Sequence, residues 1–174
     1  MKHIFRILSV FLTLSLLLCS LVACGGQNWR TDLSVTSLCD TVVAALPAGD
    51  GFDTVSDGYV SASSWGDDYA DYMALVTDYR IIVSVNSDMN VDEIGVFQTA
   101  NAKDADKMKT FVEKYLEAKQ LRMTPLLESY NQAELPKLDN ADVTVCGNYV
   151  LYTILNASDT TNAHSAFEKA LQTD

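Results

Sequence analysis

Apolar residues alternate with polar ones, or cluster with β-branched ones, in four short stretches of this chain. Tyr79-Arg80-Ile81-Ile82-Val83-Ser84-Val85 is β-branched, and Glu93-Ile94-Gly95-Val96-Phe97-Gln98 alternates, so each reads as a strand. Asn86 to Asp92 between them is turn chemistry, which makes the pair a hairpin. Asp142–Val145 and Tyr149–Leu155 form a second pair. Gly147-Asn148 joins them, with glycine at the first central position of a type II′ turn. Tyr149-Val150-Leu151-Tyr152 is apolar on both sides and belongs in the interior of a sheet.

Elsewhere the period is helical. Leu38, Cys39, Val42, Val43 and Leu46 share one face of a helix that starts near Asp32 or Ser34 and stops at Pro47-Ala48-Gly49-Asp50-Gly51. Asp67–Met73 reads as a short helix. From Asp104 to about Leu121 runs the longest one, with Ala105, Met108, Phe111, Val112, Tyr115 and Leu116 inward and its lysines on a solvated face. Pro125 predicts a kink or break, with Leu126, Leu127 and Tyr130 on a second piece. A last helix capped by Ser158 or Asp159 turns Ala163, Ala166, Phe167, Ala170 and Leu171 inward. The order predicts an α+β fold: an antiparallel sheet of about four strands (two hairpins), with a long helix and shorter helices packed mainly on one face. The strands at 93–98 and 149–155 share the sheet, and Leu151 or Ile154 meets the long helix.

The first residues belong to a different kind of segment. Lys2, His3 and Arg6 precede an apolar run, Ile7 to Leu18, broken by Ser9, Thr13 and Ser15. Leu21-Val22-Ala23-Cys24, followed by Gly25-Gly26, resembles a lipobox. The expectation is a signal peptide over 1–23, lipidation of Cys24, a short tether over 24–31 and a single domain over 32–174. Two acyl chains hold a protein at a membrane far more firmly than one, since each buried methylene contributes about 0.8 kcal/mol. The expected place is the outer face of the cytoplasmic membrane. The alternatives are simple secretion or an uncleaved spanning helix.

Charge then narrows the partners. Beyond residue 23 there are ten basic and 23 acidic residues, a net charge of −13. That field disfavours nucleic acid and suits solubility. Two cysteines remain after Cys24: Cys39 and Cys146, each among apolar residues, either a disulfide or two buried thiols. Residues 48–68 carry Asp50, Asp53, Asp57, Asp67 and Asp68 around Trp65. They read as a solvated loop with one aromatic tucked down. Neither this loop nor Asn86-Asp88-Asn90 has the spacing of a calcium loop, where Val91 stands for glycine and Phe97 for glutamate. No metal and no cofactor is expected. His164 falls off the inward stripe of its helix, no carboxylate pair is singled out, and no phosphate loop is present, so no catalytic residue is assigned.

Several segments together carry a resemblance. Asp92-Glu93-Ile94-Gly95-Val96-Phe97 at the end of the first hairpin, Ala102-Lys103-Asp104-Ala105-Asp106, Glu128-Ser129-Tyr130 and Gly147-Asn148-Tyr149-Val150-Leu151 resemble the domain of unknown function 4358 family. It is made of small bacterial lipoproteins, and the resemblance extends from Ser37 to Leu171. It implies an address and no chemistry. The resulting expectation is a non-enzymatic binding or interaction module at the cell envelope, tethered to the membrane and facing an unknown protein or envelope ligand. The alternatives are an accessory subunit of an integral membrane complex and a hydrolytic enzyme using carboxylates.

Overall fold

The computed structural model describes residues 28–47, 51–55, 58–85 and 89–173. Both hairpins form and join through their inner strands. Helix α1 (Val35–Ala44) opens the described elements, and strand β1 (Phe52–Thr54) precedes two short helices, α2 (Ala62–Trp65) and α3 (Tyr69–Met73). Then come β2 (Val76–Ser84), β3 (Glu93–Thr99), helix α4 (Ala102–Tyr130), a 3-10 turn (Gln132–Glu134), α5 (Leu135–Asp139), β4 (Asp142–Cys146), β5 (Tyr149–Ile154) and α6 (Ala157–Leu171). The sheet is antiparallel, in the order β1-β2-β3-β5-β4. β3 pairs with β5 from Gln98↔Tyr149 to Glu93↔Ile154, and all six residues of β5 are buried.

Among the described residues the sheet has five strands, one more than the two hairpins supply. β1 is three residues long inside the acidic stretch and shows no alternation; it exists because β2 offers it an edge, Phe52↔Ser84 to Thr54↔Ile82. A second correction concerns the faces. Strand side chains alternate, and here both sets are apolar, so both faces need cover. Ile82, Ile94, Val96, Tyr149 and Leu151 pack with α1 and α6, whereas Ile81, Phe97, Val150 and Tyr152 pack with α4. The helices therefore sandwich the sheet. Leu151 lies on the face away from α4; Val150 and Tyr152 meet its stripe instead, and Ile154 shares a cluster with Leu116.

Pro125 does not break α4, which runs 29 residues through it. Proline removes the bond to the carbonyl of Leu121, but Leu121 and Pro125 are both exposed, so water can satisfy that oxygen. At 1.5 Å per residue α4 is about 43 Å long, against about 24 Å for seven-residue β3. It therefore overshoots the sheet past Glu93. Val91 and Leu138 cover the overshoot around Leu127 and Ile154. The caps are Ser34, Asn101 and Asn156, each accepting a backbone N–H one turn on; Asn156 replaces the expected Ser158 or Asp159. Gly147 has φ +61° and Asn148 has no positive φ, as the type II′ turn requires.

Cys39 and Cys146 are free, buried thiols in one apolar cluster, so the possible disulfide is not formed. Burial pushes them up to about 11 and about 12, and they pack as small apolar side chains. Cys24 and the segment 1–23 lie outside the described residues. The described chain begins at the turn end of the sheet: Trp29 bridges to Gln172 and lies over Gly147, and the Arg30 N–H donates to the Leu171 carbonyl at 2.8 Å. Among the described residues no helix is long and apolar enough to cross a membrane.

Candidate functional site

Glu93 opens β3 on the face that α4 covers, with no solvent exposure. A lone buried carboxylate would be costly, so its donors matter. Oε1 accepts from the Tyr115 hydroxyl at 2.7 Å and the Tyr152 hydroxyl at 2.5 Å. Oε2 accepts from the Tyr59 hydroxyl at 2.6 Å and from Lys119 Nζ. Two donors on each oxygen use the roughly four lone-pair positions of a carboxylate. The Tyr59 and Tyr115 hydroxyls lie 3.2 Å apart.

Each partner arrives for a local reason. Tyr115 and Lys119 are four residues apart on α4 and so lie on one face. Tyr152 sits opposite Gly95 on the neighbouring strand. A Cβ on Gly95 would lie 1.9 Å from the Tyr152 ring, so only glycine lets the ring lie across β3 toward Glu93. Trp65 of α2 stacks on Tyr115 with ring centres 3.7 Å apart and meets Tyr152 edge-on. Ser64 donates to the Tyr59 carbonyl, holding the segment that carries Tyr59.

Burial, then the negative charge of Glu93, pushes the phenols of Tyr59, Tyr115 and Tyr152 far above the usual tyrosine value. They remain protonated donors across the physiological range. Over this network opens a cleft of about 360 Å³, walled by Tyr59, Ser64, Val83, Asn90, Val91, Asp92, Glu93, Tyr115, Lys119, Arg122 and Met123. Asp92 faces Lys137 at 2.8 Å, which also holds Glu134 at 2.9 Å. Among the described residues no group of three metal-ligating side chains gathers.

None of these residues stands out in the sequence. Glu93 reads as the polar half of an alternating strand, Tyr115 as one of a helix stripe and Lys119 as solvated. A signal was present: Glu93, Gly95 and Phe97 share a face of a strand whose other face is Ile94 and Val96, so a fully covered strand carries the carboxylate inside. His164 is not the solvated side chain its helix stripe implies. It is only 12 % exposed and bridges Thr144, 2.8 Å from Nδ1, and Thr153, 3.1 Å from Nε2. Burial lowers its pKa despite Asp142. Trp65 is tucked down as expected, 4 % exposed.

The family model described as a domain of unknown function, DUF4358, matches residues 69–155, and the chain belongs to that family. The match is narrower than the resemblance over Ser37–Leu171. It contains Glu93, Gly95, Tyr115, Lys119 and Tyr152, while Tyr59 and Trp65 precede it. No curated protein and no solved structure matches the chain.

Proposed function

We propose that this chain is a lipid-anchored, extracytoplasmic, non-enzymatic binding module whose recognition site is the cleft over Glu93. The observation that carries the reading is the saturated carboxylate: Glu93 holds three phenols and a lysine as fixed walls of an open cleft. Fixed walls suit recognition, which needs a preorganised surface. Acid–base chemistry near neutral pH needs a group poised to titrate there, and the phenols are pushed the other way.

The anchor reading rests on the lipobox at Cys24. On that reading, the position of Trp29 sets the side of the fold on which the tether joins it. Trp29 lies at the Gly147 end of the sheet, and Glu93 lies at the other end of β3, about 20 Å away. An anchored molecule would thus hold its tether at one end and its cleft at the other, open to the cell's surroundings.

A photo-crosslinking residue at Ser64 of the full chain in cells tests the site, with the same residue at exposed Lys103 as control. A discrete adduct from position 64 alone, weakened by Glu93→Gln, is expected; equal labelling from both positions sinks the reading. An adduct with an integral membrane protein would put the accessory-subunit reading in its place. In the same cells Cys24→Ala should release the protein from the membrane or leave it uncut, and an unchanged, processed, membrane-bound variant would overturn the anchor.

A further inference from the structure

We infer that the cleft takes a monoanionic amphipathic ligand, a carboxylate carried on an apolar body, with Arg122 binding the carboxylate. The inference rests on the reading of this cleft as the recognition site and names what enters it.

Among the described residues the charges of the cleft are paired, with one exception. Lys119 is held by Glu93, and Asp92 by Lys137. Arg122 follows Lys119 by three residues on α4, so the two are neighbours on the helix surface. It lies close enough to Tyr59 to act on its hydroxyl electrostatically, yet among the described residues it has no carboxylate partner. Arginine offers a planar fork of donors that matches a carboxylate. The Tyr59 hydroxyl already gives its proton to Glu93, so the ligand's charge falls to Arg122.

The same cleft is also lined by Val83, Val91 and Met123, apolar side chains of which one is adaptable. They suit an uncharged body. The number of charges follows from the neighbours. Among the described residues Arg122 is the one cation of the walls without a carboxylate partner, so one negative charge on the ligand is matched and a second is not.

The test uses the full lipidated chain in lipid nanodiscs, with empty nanodiscs subtracted, and saturation-transfer NMR. The probes are phenylacetate, phenylacetamide and phenyl phosphate. Phenylacetate should bind saturably, and the amide and the phosphate each more weakly. Arg122→Gln should weaken phenylacetate about tenfold, the size of one charged hydrogen bond, and leave the amide unchanged. Lys169→Gln, which removes a cation on α6 that has no carboxylate partner among the described residues, should change neither. Equal binding of amide and carboxylate, an unaffected Arg122→Gln, or no phenylacetate binding overturns the ligand class. If position 64 still captures a partner in cells, only the ligand class has failed; if that fails too, the site itself has.

Discussion

The two faces of the sheet are built from the same strands and to different ends. The face under α1 and α6 is mainly apolar, with Leu38, Val42, Ile94, Val96, Leu151, Phe167 and Leu171, and among the described residues carries no buried charge pair. The face under α4 is aromatic and partly polar, with Phe97, Phe111, Trp65, Tyr115 and Tyr152 around Glu93. β3 serves both, sending Ile94 and Val96 one way and Glu93, Gly95 and Phe97 the other. Apolar packing on the first face supplies stability without direction. The network on the second fixes geometry, because a buried carboxylate tolerates only the arrangement that satisfies it. The difference suggests a division of labour: one side keeps the sheet folded, the other holds a cleft in shape.

Removing the carboxylate should break the second face most severely. Glu93→Ala leaves Lys119 and three phenols without their acceptor, and loss of one partner of a buried pair costs about 3–5 kcal/mol. Leu151→Ala on the apolar face should cost about 2–5 kcal/mol through a cavity alone. Denaturant melts give both values, and near-ultraviolet circular dichroism separates them. The aromatic signal of the folded protein should change with Glu93→Ala and persist with Leu151→Ala; the same signal in both variants would show that the faces are not independent.

Gly95→Ala comes next. The added methyl overlaps the Tyr152 ring, and overpacking of this kind costs about 1–3 kcal/mol. Trimming the ring should restore part of the loss, so Gly95→Ala with Tyr152→Leu should be more stable than the two single losses added together. Strict additivity would mean that the ring does not need the space.

Solution pH should separate the faces most gently, and from opposite directions. His164, on the α6 side, has its pKa lowered below the ordinary 6.5 by burial. Its unfolded form binds the proton more readily, so its contribution is full above about 6.5 and lost as pH falls below it. The three phenols have pKa values raised above the ordinary 10, so their contribution is full below 10 and lost as pH rises past it. Melting points across pH should show an acid limb flattened by His164→Gln and an alkaline limb flattened by Tyr152→Phe. If either substitution flattens the wrong limb, the assignment of groups to faces is wrong.

The contrast also explains what could be read from the chain. Period and turn chemistry foretold β2, β3, β4, β5 and the Gly147-Asn148 turn, because these are local. The long helix was legible but cut short at Pro125, since a proline's penalty depends on whether the freed carbonyl faces water. β1 was illegible because its three residues take their conformation from an edge. Coverage of both faces could have been inferred from Tyr149-Val150-Leu151-Tyr152, whose two apolar sides each demand a layer. The Glu93 network draws on four distant parts of the chain, and each member has an ordinary role in its own segment. Only the alternation that puts Glu93 beside Gly95 and Phe97 hinted that a charge was inside.

The stacking of Trp65 on Tyr115 gives the molecule a built-in optical reporter. The sequence has two tryptophans: Trp29 lies at the far end of the sheet, and Trp65 lies flat on a ring whose hydroxyl binds Glu93. The indole N–H of Trp65 has no hydrogen-bond partner among the described residues, so its emission should be blue-shifted. With Trp29→Phe, a single emitter remains one ring away from the cleft. Any occupant that shifts Tyr115 would then register as a change in colour or intensity, with no dye attached and whatever the chemistry of the occupant.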